Sequence, residues 1–149
     1  MGDTGSLILG LLLAIFVIKF NDINETIKGV YHISSSPAVS LGILIVPVYD
    51  TLRVFTIRIM RGGSPFVADK RHVHHYLLEI TGSHRKATAI ILLTNIIFII
   101  ISFLLSDLRI IVLSAILFIL ASFLSYLPYR MVKTNRLKKK RSEYQAQLD

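Results

Sequence analysis

The sequence contains no cysteine, and only 9 of its 149 residues are acidic. The absence of cysteine excludes a disulfide framework, a thiolate zinc site and a cysteine nucleophile. Charge of either sign is scarce: 17% of the residues are charged and 53% are hydrophobic, with a mean hydropathy of +0.63. This composition is too apolar for an ordinary soluble domain of the same length. It indicates a membrane protein, and the length predicts a single membrane domain over residues 1–149.

The few charges are mostly positive. There are 17 basic residues against 9 acidic ones, which gives a formal net charge of +8. In a soluble protein this excess would suggest a nucleic acid as partner. In so apolar a chain it favours anionic lipid or phosphate. We therefore expect a membrane-lipid partner and no nucleic acid.

Two long apolar runs, residues 87–105 and 110–129, contain no charge over about the thickness of a bilayer each, and we predict that both are spanning helices. The four residues between them allow only a tight turn, so the two helices should form an antiparallel hairpin. A third helix is predicted from Pro37, with the preceding serines as caps. It is apolar as far as Tyr49, after which Asp50 and Arg53 either extend into the headgroup layer or line a site.

The fourth apolar run, residues 7–20, is shorter and lacks the flanks of a signal peptide. A signal peptide needs a basic segment before its core, whereas Asp3 stands there. We interpret this run as a short spanning helix that begins near Gly5. The predicted fold is therefore all-α, a multi-pass transmembrane bundle of about four spanning helices.

Four spans divide the basic residues unevenly between the two sides of the membrane. One side holds both termini, a loop over residues 53–86 and a basic tail over residues 130–149, and it carries 14 of the 17 basic residues. The positive-inside rule makes this side cytoplasmic. The cationic run at residues 136–141 is interpreted as a topology determinant that contacts lipid headgroups.

The loop contains three of the five histidines, His72, His74 and His75, within four residues. In an extended segment His72 and His74 would face the same way, whereas in a helix His72 and His75 would share a face. Nearby cations should keep the imidazoles neutral. Such a cluster binds a soft metal, hydrogen-bonds phosphate and sugar oxygens, or shuttles protons. Solvated polar residues in a basic loop are the alternative.

Two smaller features suit phosphate chemistry. Gly62 and Gly63, followed by Ser64, allow a turn whose backbone could cradle a phosphate. Asp3 stands where the first helix begins, so it is either a helix cap or a ligand for a Mg²⁺ ion bound to a diphosphate.

Two separate blocks resemble a known family. Residues 1–6 read MGDTGS, and residues 46–78 read VPVYDTLRVFTIRIMRGGSPFVADKRHVHHYLL. They resemble the polyprenyl-phosphate N-acetylhexosamine-1-phosphate transferases, most closely the bacterial undecaprenyl-phosphate N-acetylglucosamine-1-phosphate transferase branch. That branch has an Asp-Thr-x-Arg-Val element, a Gly-x-Ser-Pro-Phe element, an Asp, and a His-x-His-His cluster. The phospho-muramoyl-pentapeptide transferases, which have a Pro-x-His-His-His pattern, rank second.

The chain also departs from this family. Family members are longer, and their Asp-Asp motif and Asn-x-x-Asn-x-x-Asp-Gly segment precede the Gly-Asp-x-Gly-Ser block. No Asp-Asp pair occurs in this sequence. We expect that the chain corresponds to the C-terminal half of a transferase, needs the N-terminal half, and is incomplete for catalysis by itself.

The resemblance implies a Mg²⁺-dependent enzyme in the cytoplasmic membrane of a bacterium. It would transfer N-acetylhexosamine 1-phosphate, with N-acetylglucosamine expected, from UDP-N-acetylhexosamine to undecaprenyl phosphate and release UMP, which initiates a cell-envelope glycan. The sequence leaves open whether the protein forms a homodimer. The implied site residues are His72, His74 and His75 for catalysis, Arg61, Gly63, Ser64 and Asp69 for substrate binding, and Asp3 for the metal.

Asp50 and Arg53 match the branch motif, but their spacing also suits an ion pair within a helix. We expect them to orient the loop. Two further functions stay open: a non-catalytic membrane protein whose polybasic tail binds anionic lipid, and a membrane protein that binds a transition metal through its histidines.

Overall fold

The computed structural model describes residues 3–64 and 72–145, without the side chains at positions 3, 6, 139, 140, 142 and 143. Over these residues the chain forms five helices and no strand. They are α1 (Asp3–Thr26), α2 (Ser36–Met60), α3 (Val73–Thr81), α4 (His84–Leu104) and α5 (Ile110–Gln145). All except α3 are long and apolar enough to cross a membrane. The predicted all-α class with four candidate spans is confirmed for the described part of the chain.

The helices extend further than the apolar runs predict. α2 continues to Met60 and α3 begins at Val73, so the segment expected as a loop over residues 53–86 is largely helical. α5 continues through Pro128 to Gln145, so the predicted tail begins as helix. Lys and Arg are good helix formers. A helix can therefore continue beyond its apolar part into a basic segment.

α2 lies at the centre of the bundle and packs against both α4 and α5. Its residues Ala38, Val39 and Ile45 are buried together with Phe98 of α4 and Leu117 of α5. The short turn predicted between α4 and α5 is present, but these two helices contact each other much less than each contacts α2. The hairpin is therefore held together through α2.

A glycine sets the distance between α2 and α4. A Cβ atom added at Gly42 would lie 2.5 Å from the Cβ atom of Ser102, closer than two carbon atoms can approach. Small residues allow this contact, and they are typical of helix interfaces in membranes, where apolar burial gives little driving force.

Asparagine side chains attach α1 to the bundle, although most of its surface is exposed. Asn21 donates through Nδ2 to Ser40 Oγ at 3.1 Å. Asn24 donates to the Ile33 carbonyl and accepts from the Ile33 amide, both at 2.9 Å. These bonds fix the connection between α1 and α2.

The serines before Pro37 do not cap α2 as expected. Pro37 does occupy the first turn, but no side-chain cap bond forms at Ser35. Its hydroxyl instead donates to the carbonyl of Leu108, because the turn between α4 and α5 leaves that oxygen within reach. Ser35 thus connects two turns on the same side of the bundle.

Candidate functional site

The candidate site is built where α2 meets the first turn of α3. Asp50 of α2 accepts a hydrogen bond from the backbone amide of Val73 at 3.1 Å. Its Oδ2 atom lies 2.9 Å from His72 Nδ1. Only 15% of the Asp50 side chain is exposed. Because a carboxylate is favourable at a helix N-terminus, Asp50 caps α3 from another helix and fixes the histidine segment.

Arg53 lies on the same buried face of α2. Its Nη2 atom is 3.4 Å from Asp50 Oδ1, and its side chain is 14% exposed. The guanidinium stands 5.8 Å from the centre of the Tyr76 ring of α3. The predicted ion pair is confirmed, and the side chains of Asp50 and Arg53 contact α3. Orientation of the loop by the pair stays a prediction, which the contacts of Asp50 with His72 and Val73 support.

The three histidines form a row of rings at the start of α3. The ring centres of His72 and His74 lie 5.8 Å apart with near-parallel planes, and those of His74 and His75 lie 4.1 Å apart. Neither expected pattern describes them fully, because His72 is the extended N-cap residue while His74 and His75 are helical. This change of conformation brings all three rings together.

The pKa of His74 is lowered below its ordinary value of 6.5. Partial burial is the largest cause, and the neighbouring His75 and His72 add to it, while Asp50 opposes them. The sequence predicts neutral imidazoles because of nearby cations, but the lowered pKa of His74 is due to burial and the other imidazoles. At neutral pH this ring therefore has one nitrogen that donates and one that accepts.

α3 is also attached to α5. Arg136 donates from Nε to Glu79 Oε1 at 2.9 Å and from Nη2 to Glu79 Oε2 at 2.5 Å. The Tyr76 ring meets the Tyr129 ring edge to face, with centres 5.9 Å apart. Glu79 and Tyr76 are not predicted from the sequence, because their partners lie more than fifty residues away. Their place on the helix that carries the histidines is the only local signal.

Two cavities flank this arrangement, each of about 770 Å³. The first, which we call the His74 crevice, has Asp50 and His74 in its wall, and it is otherwise mostly apolar. The second, which we call the arginine groove, is lined by Arg53 and Arg61 among tyrosines and apolar residues. Arg61 and His74 therefore line different cavities.

The phosphate cradle predicted at Gly62, Gly63 and Ser64 starts at the C-terminal end of α2. Arg61 is the C-cap residue of α2, and Gly62 follows with a φ of +71°. The amide of Gly63 donates to the Arg58 carbonyl at 3.1 Å, and that of Gly62 to the Ile59 carbonyl at 2.9 Å. This is the Schellman pattern, in which glycine has the left-handed conformation that ends a helix. Gly63 and Ser64 follow it and are exposed.

Two predicted site residues fall outside the described atoms. Asp69 lies outside the described residues, and Asp3 begins α1 with a side chain that is not described. Among the residues and side chains that are described, no group of three or more His, Asp or Glu residues could hold a metal ion. The described residues alone thus support neither a transition-metal site at the histidines nor a magnesium site.

Comparisons with known proteins point to one group of enzymes. The chain is 37% identical over 97 residues to the decaprenyl-phosphate N-acetylglucosaminephosphotransferase of Mycolicibacterium smegmatis, a match that covers 62% of this chain and 24% of that protein. It is 32% identical over 93 residues to the undecaprenyl-phosphate alpha-N-acetylglucosaminyl 1-phosphate transferase of Salmonella typhi, covering 62% of this chain and 23% of that protein. The Escherichia coli K12 enzyme of the same name is 31% identical over 93 residues.

No protein-family model matches the chain, and no solved structure matches it. The match spans about a quarter of the length of the curated relatives. The resemblance predicted from the two sequence blocks is nevertheless confirmed. Over the matched stretch this chain is homologous to the polyprenyl-phosphate N-acetylglucosamine-1-phosphate transferases.

Proposed function

We propose that this chain takes part in transferring N-acetylglucosamine 1-phosphate from its UDP-sugar to undecaprenyl phosphate, with release of UMP, at the cytoplasmic face of a bacterial inner membrane. The product would initiate a cell-envelope glycan. The observation that carries the proposal is the row of three histidines, fixed by Asp50 at the polar end of a membrane crevice. It occurs in a chain homologous to enzymes whose names specify transfer of N-acetylglucosamine phosphate to decaprenyl or undecaprenyl phosphate.

In this reaction an oxygen of the lipid phosphate forms a bond to the β-phosphorus of the UDP-sugar. The bond from that phosphorus to the bridging oxygen breaks, and UMP leaves. Negative charge on the phosphoryl oxygens is stabilised by fixed donors. We assign this contact to His72, His74 and His75. A phosphate monoester has a second pKa near 6, so most of it is doubly charged at neutral pH, and the N–H of a neutral His74 can donate to its oxygens.

The prenyl chain of the acceptor is assigned to the His74 crevice. The crevice is lined by apolar residues of α2, α4 and α5, among them Phe98 and Leu124. Leu92 and Leu127 in its wall are 58% and 43% exposed, which suits entry from the side of the bilayer. A chain that enters there would bring its phosphate to the polar end, beside His74.

The resemblance implies Mg²⁺, but the described residues do not form a site for it. We therefore derive no step through the metal. Asp3 remains the proposed ligand within this chain, and Gly63, Ser64 and Asp69 remain proposed substrate contacts. Arg61 was predicted with them, but it lines the arginine groove, so we propose its anion contact there. A Mg²⁺ ion bound to a diphosphate prefers several oxygen ligands. We propose that further carboxylates come from a polypeptide equivalent to the N-terminal half of a transferase.

The proposal is tested in membranes of a bacterium that lacks its own transferase. Transfer of radiolabelled N-acetylglucosamine 1-phosphate to undecaprenyl phosphate should be absent with this chain alone and restored by co-expression with a matching N-terminal half. His74→Ala should then lower the rate by about a hundredfold or more, as loss of acid–base or oxyanion contacts does. His84→Ala is the matched control, because this exposed histidine begins α4.

Three outcomes contradict the proposal. Turnover by this chain alone would exclude the need for a second polypeptide. No transfer from a correctly inserted pair would favour the non-catalytic polybasic alternative. Full activity of His74→Ala would exclude a catalytic role for that histidine.

The metal role of Asp3 is tested separately in the completed enzyme. Asp3→Asn retains the size and the capping ability of the side chain but removes its charge. If the carboxylate binds Mg²⁺, turnover should fall by orders of magnitude. Unchanged turnover would leave only the capping role.

The orientation rests on the count of basic residues, and reporter fusions test it. Fusions at Ser83 and at the C-terminus should be cytoplasmic, and fusions near Glu25 and Asp107 should be external. A cytoplasmic reporter near Glu25 would exclude α1 as a span.

A further inference from the structure

The arginine groove changes from polar to apolar along its length. Of its lining residues, Arg53 and Arg61 lie toward the C-terminal end of α2 and Tyr129 lies late in the apolar part of α5, which we call its polar end, whereas Ile119 and Phe123 lie earlier along α5. None of the described residues that line it is acidic, although Asp50, in the wall of the other cavity, lies 3.4 Å from Arg53 Nη2. A groove with two cations, several hydroxyl donors and an apolar end suits an anionic amphiphile.

Counted from the start of α2 at the opposite membrane boundary, the polar end of the groove lies near the boundary between the hydrocarbon core and the headgroups. Arg53 and Arg61 follow the start of α2 by about 26 and 38 Å, at 1.5 Å per helical residue. The hydrocarbon core is about 30 Å thick, so the two arginines lie on either side of its boundary. On α5, Phe123 and Tyr129 lie about 20 and 29 Å from Ile110 by the same geometry. The groove therefore crosses the boundary between acyl chains and headgroups.

The apolar end of the groove is open to the outside of the bundle. Ile119 is 68% exposed and Phe123 is 62% exposed. A lipid alkyl chain could therefore lie along this wall without leaving the bilayer. A soluble anion would leave the wall unused.

Aromatic rings hold arginines at the polar end. Arg53 stands over Tyr76 at 5.8 Å. Beside the groove, Arg130 stands over Tyr126 at 5.5 Å and donates to the Tyr126 hydroxyl at 3.2 Å. Arginines stacked on rings are pre-organised, and their planar donors match phosphate oxygens. Snorkelling residues of an ordinary membrane interface have no such fixed arrangement.

We propose that the arginine groove binds the phosphate headgroup of an anionic glycerophospholipid from the surrounding leaflet. Arg61 and Arg53 contact the phosphate, and the first part of an acyl chain lies along Ile119 and Phe123. This site is separate from the His74 crevice and does not depend on the proposed function. Because a lipid-borne phosphate could also belong to undecaprenyl phosphate, the experiment distinguishes the two sources.

The test uses the full chain, purified in detergent and transferred to phosphatidylcholine nanodiscs with increasing phosphatidylglycerol. Native mass spectrometry counts the phosphatidylglycerol molecules that stay bound after release. Arg61→Gln should lower the affinity of one saturable site by about tenfold or more, as loss of a hydrogen bond to a charged group does. Tyr126→Phe, which keeps the ring, should weaken it less.

Arg141→Gln is the matched control. It removes the same charge from the part of α5 beyond the groove, so it should change retention only through general attraction to an anionic surface, within about fivefold. Equal retention by Arg61→Gln and Arg141→Gln would overturn the proposal, since it would indicate that the basic tail alone attracts the lipid.

The second arm replaces phosphatidylglycerol with undecaprenyl phosphate at the same mole fraction. We expect its retention to be unaffected by Arg61→Gln, and we expect it not to displace phosphatidylglycerol. Displacement together with dependence on Arg61 would assign the groove to the acceptor lipid and overturn the glycerophospholipid assignment.

Discussion

Asp50 of α2 and His72 of the following segment are joined by a hydrogen bond of 2.9 Å between Oδ2 and Nδ1. A carboxylate only accepts, so in this contact Nδ1 carries the proton and Nε2 is left to face a ligand. The same carboxylate accepts from the Val73 amide. One side chain therefore orients the first imidazole and caps the helix that carries the other two.

Asp50→Ala should loosen α3 without unfolding the bundle. An N-cap is worth about 0.5–2 kcal/mol, so the first amides of α3 should exchange with solvent about 2 to 30 times faster. Hydrogen exchange with mass spectrometry measures this change. Thr56→Ala on the same helix is the control, because its exposed hydroxyl bonds only to the Leu52 carbonyl of its own helix. Unchanged exchange in Asp50→Ala would exclude the capping role.

His74 should titrate below 6.5 in the folded protein. Since His75 lowers its pKa, His75→Ala should move the His74 midpoint back toward 6.5. NMR of the imidazole Cε1 protons measures both midpoints. A His74 midpoint at or above 6.5 in the unmodified chain would contradict the burial and stacking described above.

The lowered pKa of His74 also sets the direction of a pH effect on stability. The unfolded chain binds this proton more tightly than the folded chain does, so acidification favours unfolding. The contribution is present above pH 6.5 and is lost as the pH falls through the folded pKa of His74. His74→Gln should remove this part of the acid sensitivity, and denaturation midpoints at several pH values should detect the loss.

The sequence predicted the features that depend on local pattern. Uncharged runs identified the spans because backbone groups in a bilayer must bond within their own helix. The Asp50–Arg53 pair followed from helical spacing. The contact between Asp50 and Val73 could not be predicted in this way. The two residues are 23 positions apart in sequence, and their contact depends on how α2 and α3 pack.

Other features of the site had no local signal. The division of Arg61 and His74 between two cavities depends on which face of α2 each neighbouring helix covers. The pairing of Glu79 with Arg136 joins residues 57 apart in sequence. Arg136 lies in a basic run, and the composition of that run favours contact with lipid headgroups over an ion pair within the protein.

Gly42→Ala should destabilise the bundle because the added methyl group would overlap Ser102. Overpacking of this kind costs about 1–3 kcal/mol. Gly10→Ala is the matched control: it lies in α1, and nothing lies within 4 Å of the added atom. There the better helix propensity of alanine should be neutral or stabilising. Thermal unfolding in detergent compares the two, and an equal effect of both substitutions would contradict the close approach of α2 and α4.

The contact between Glu79 and Arg136 should depend on pH in the acidic range. The hydrogen bonds from Arg136 hold the pKa of Glu79 below its ordinary value of 4.5. The contribution to docking of α3 on α5 is therefore present above pH 4.5 and is lost as the pH falls through the folded pKa of Glu79. Arg136→Gln should return the Glu79 midpoint to about 4.5, as followed by NMR of its side-chain carboxyl carbon. Lys133→Gln removes an exposed charge one turn earlier on α5 and should leave that midpoint nearly unchanged. If both variants shift the midpoint equally, general charge on α5 accounts for the effect and the specific pair does not.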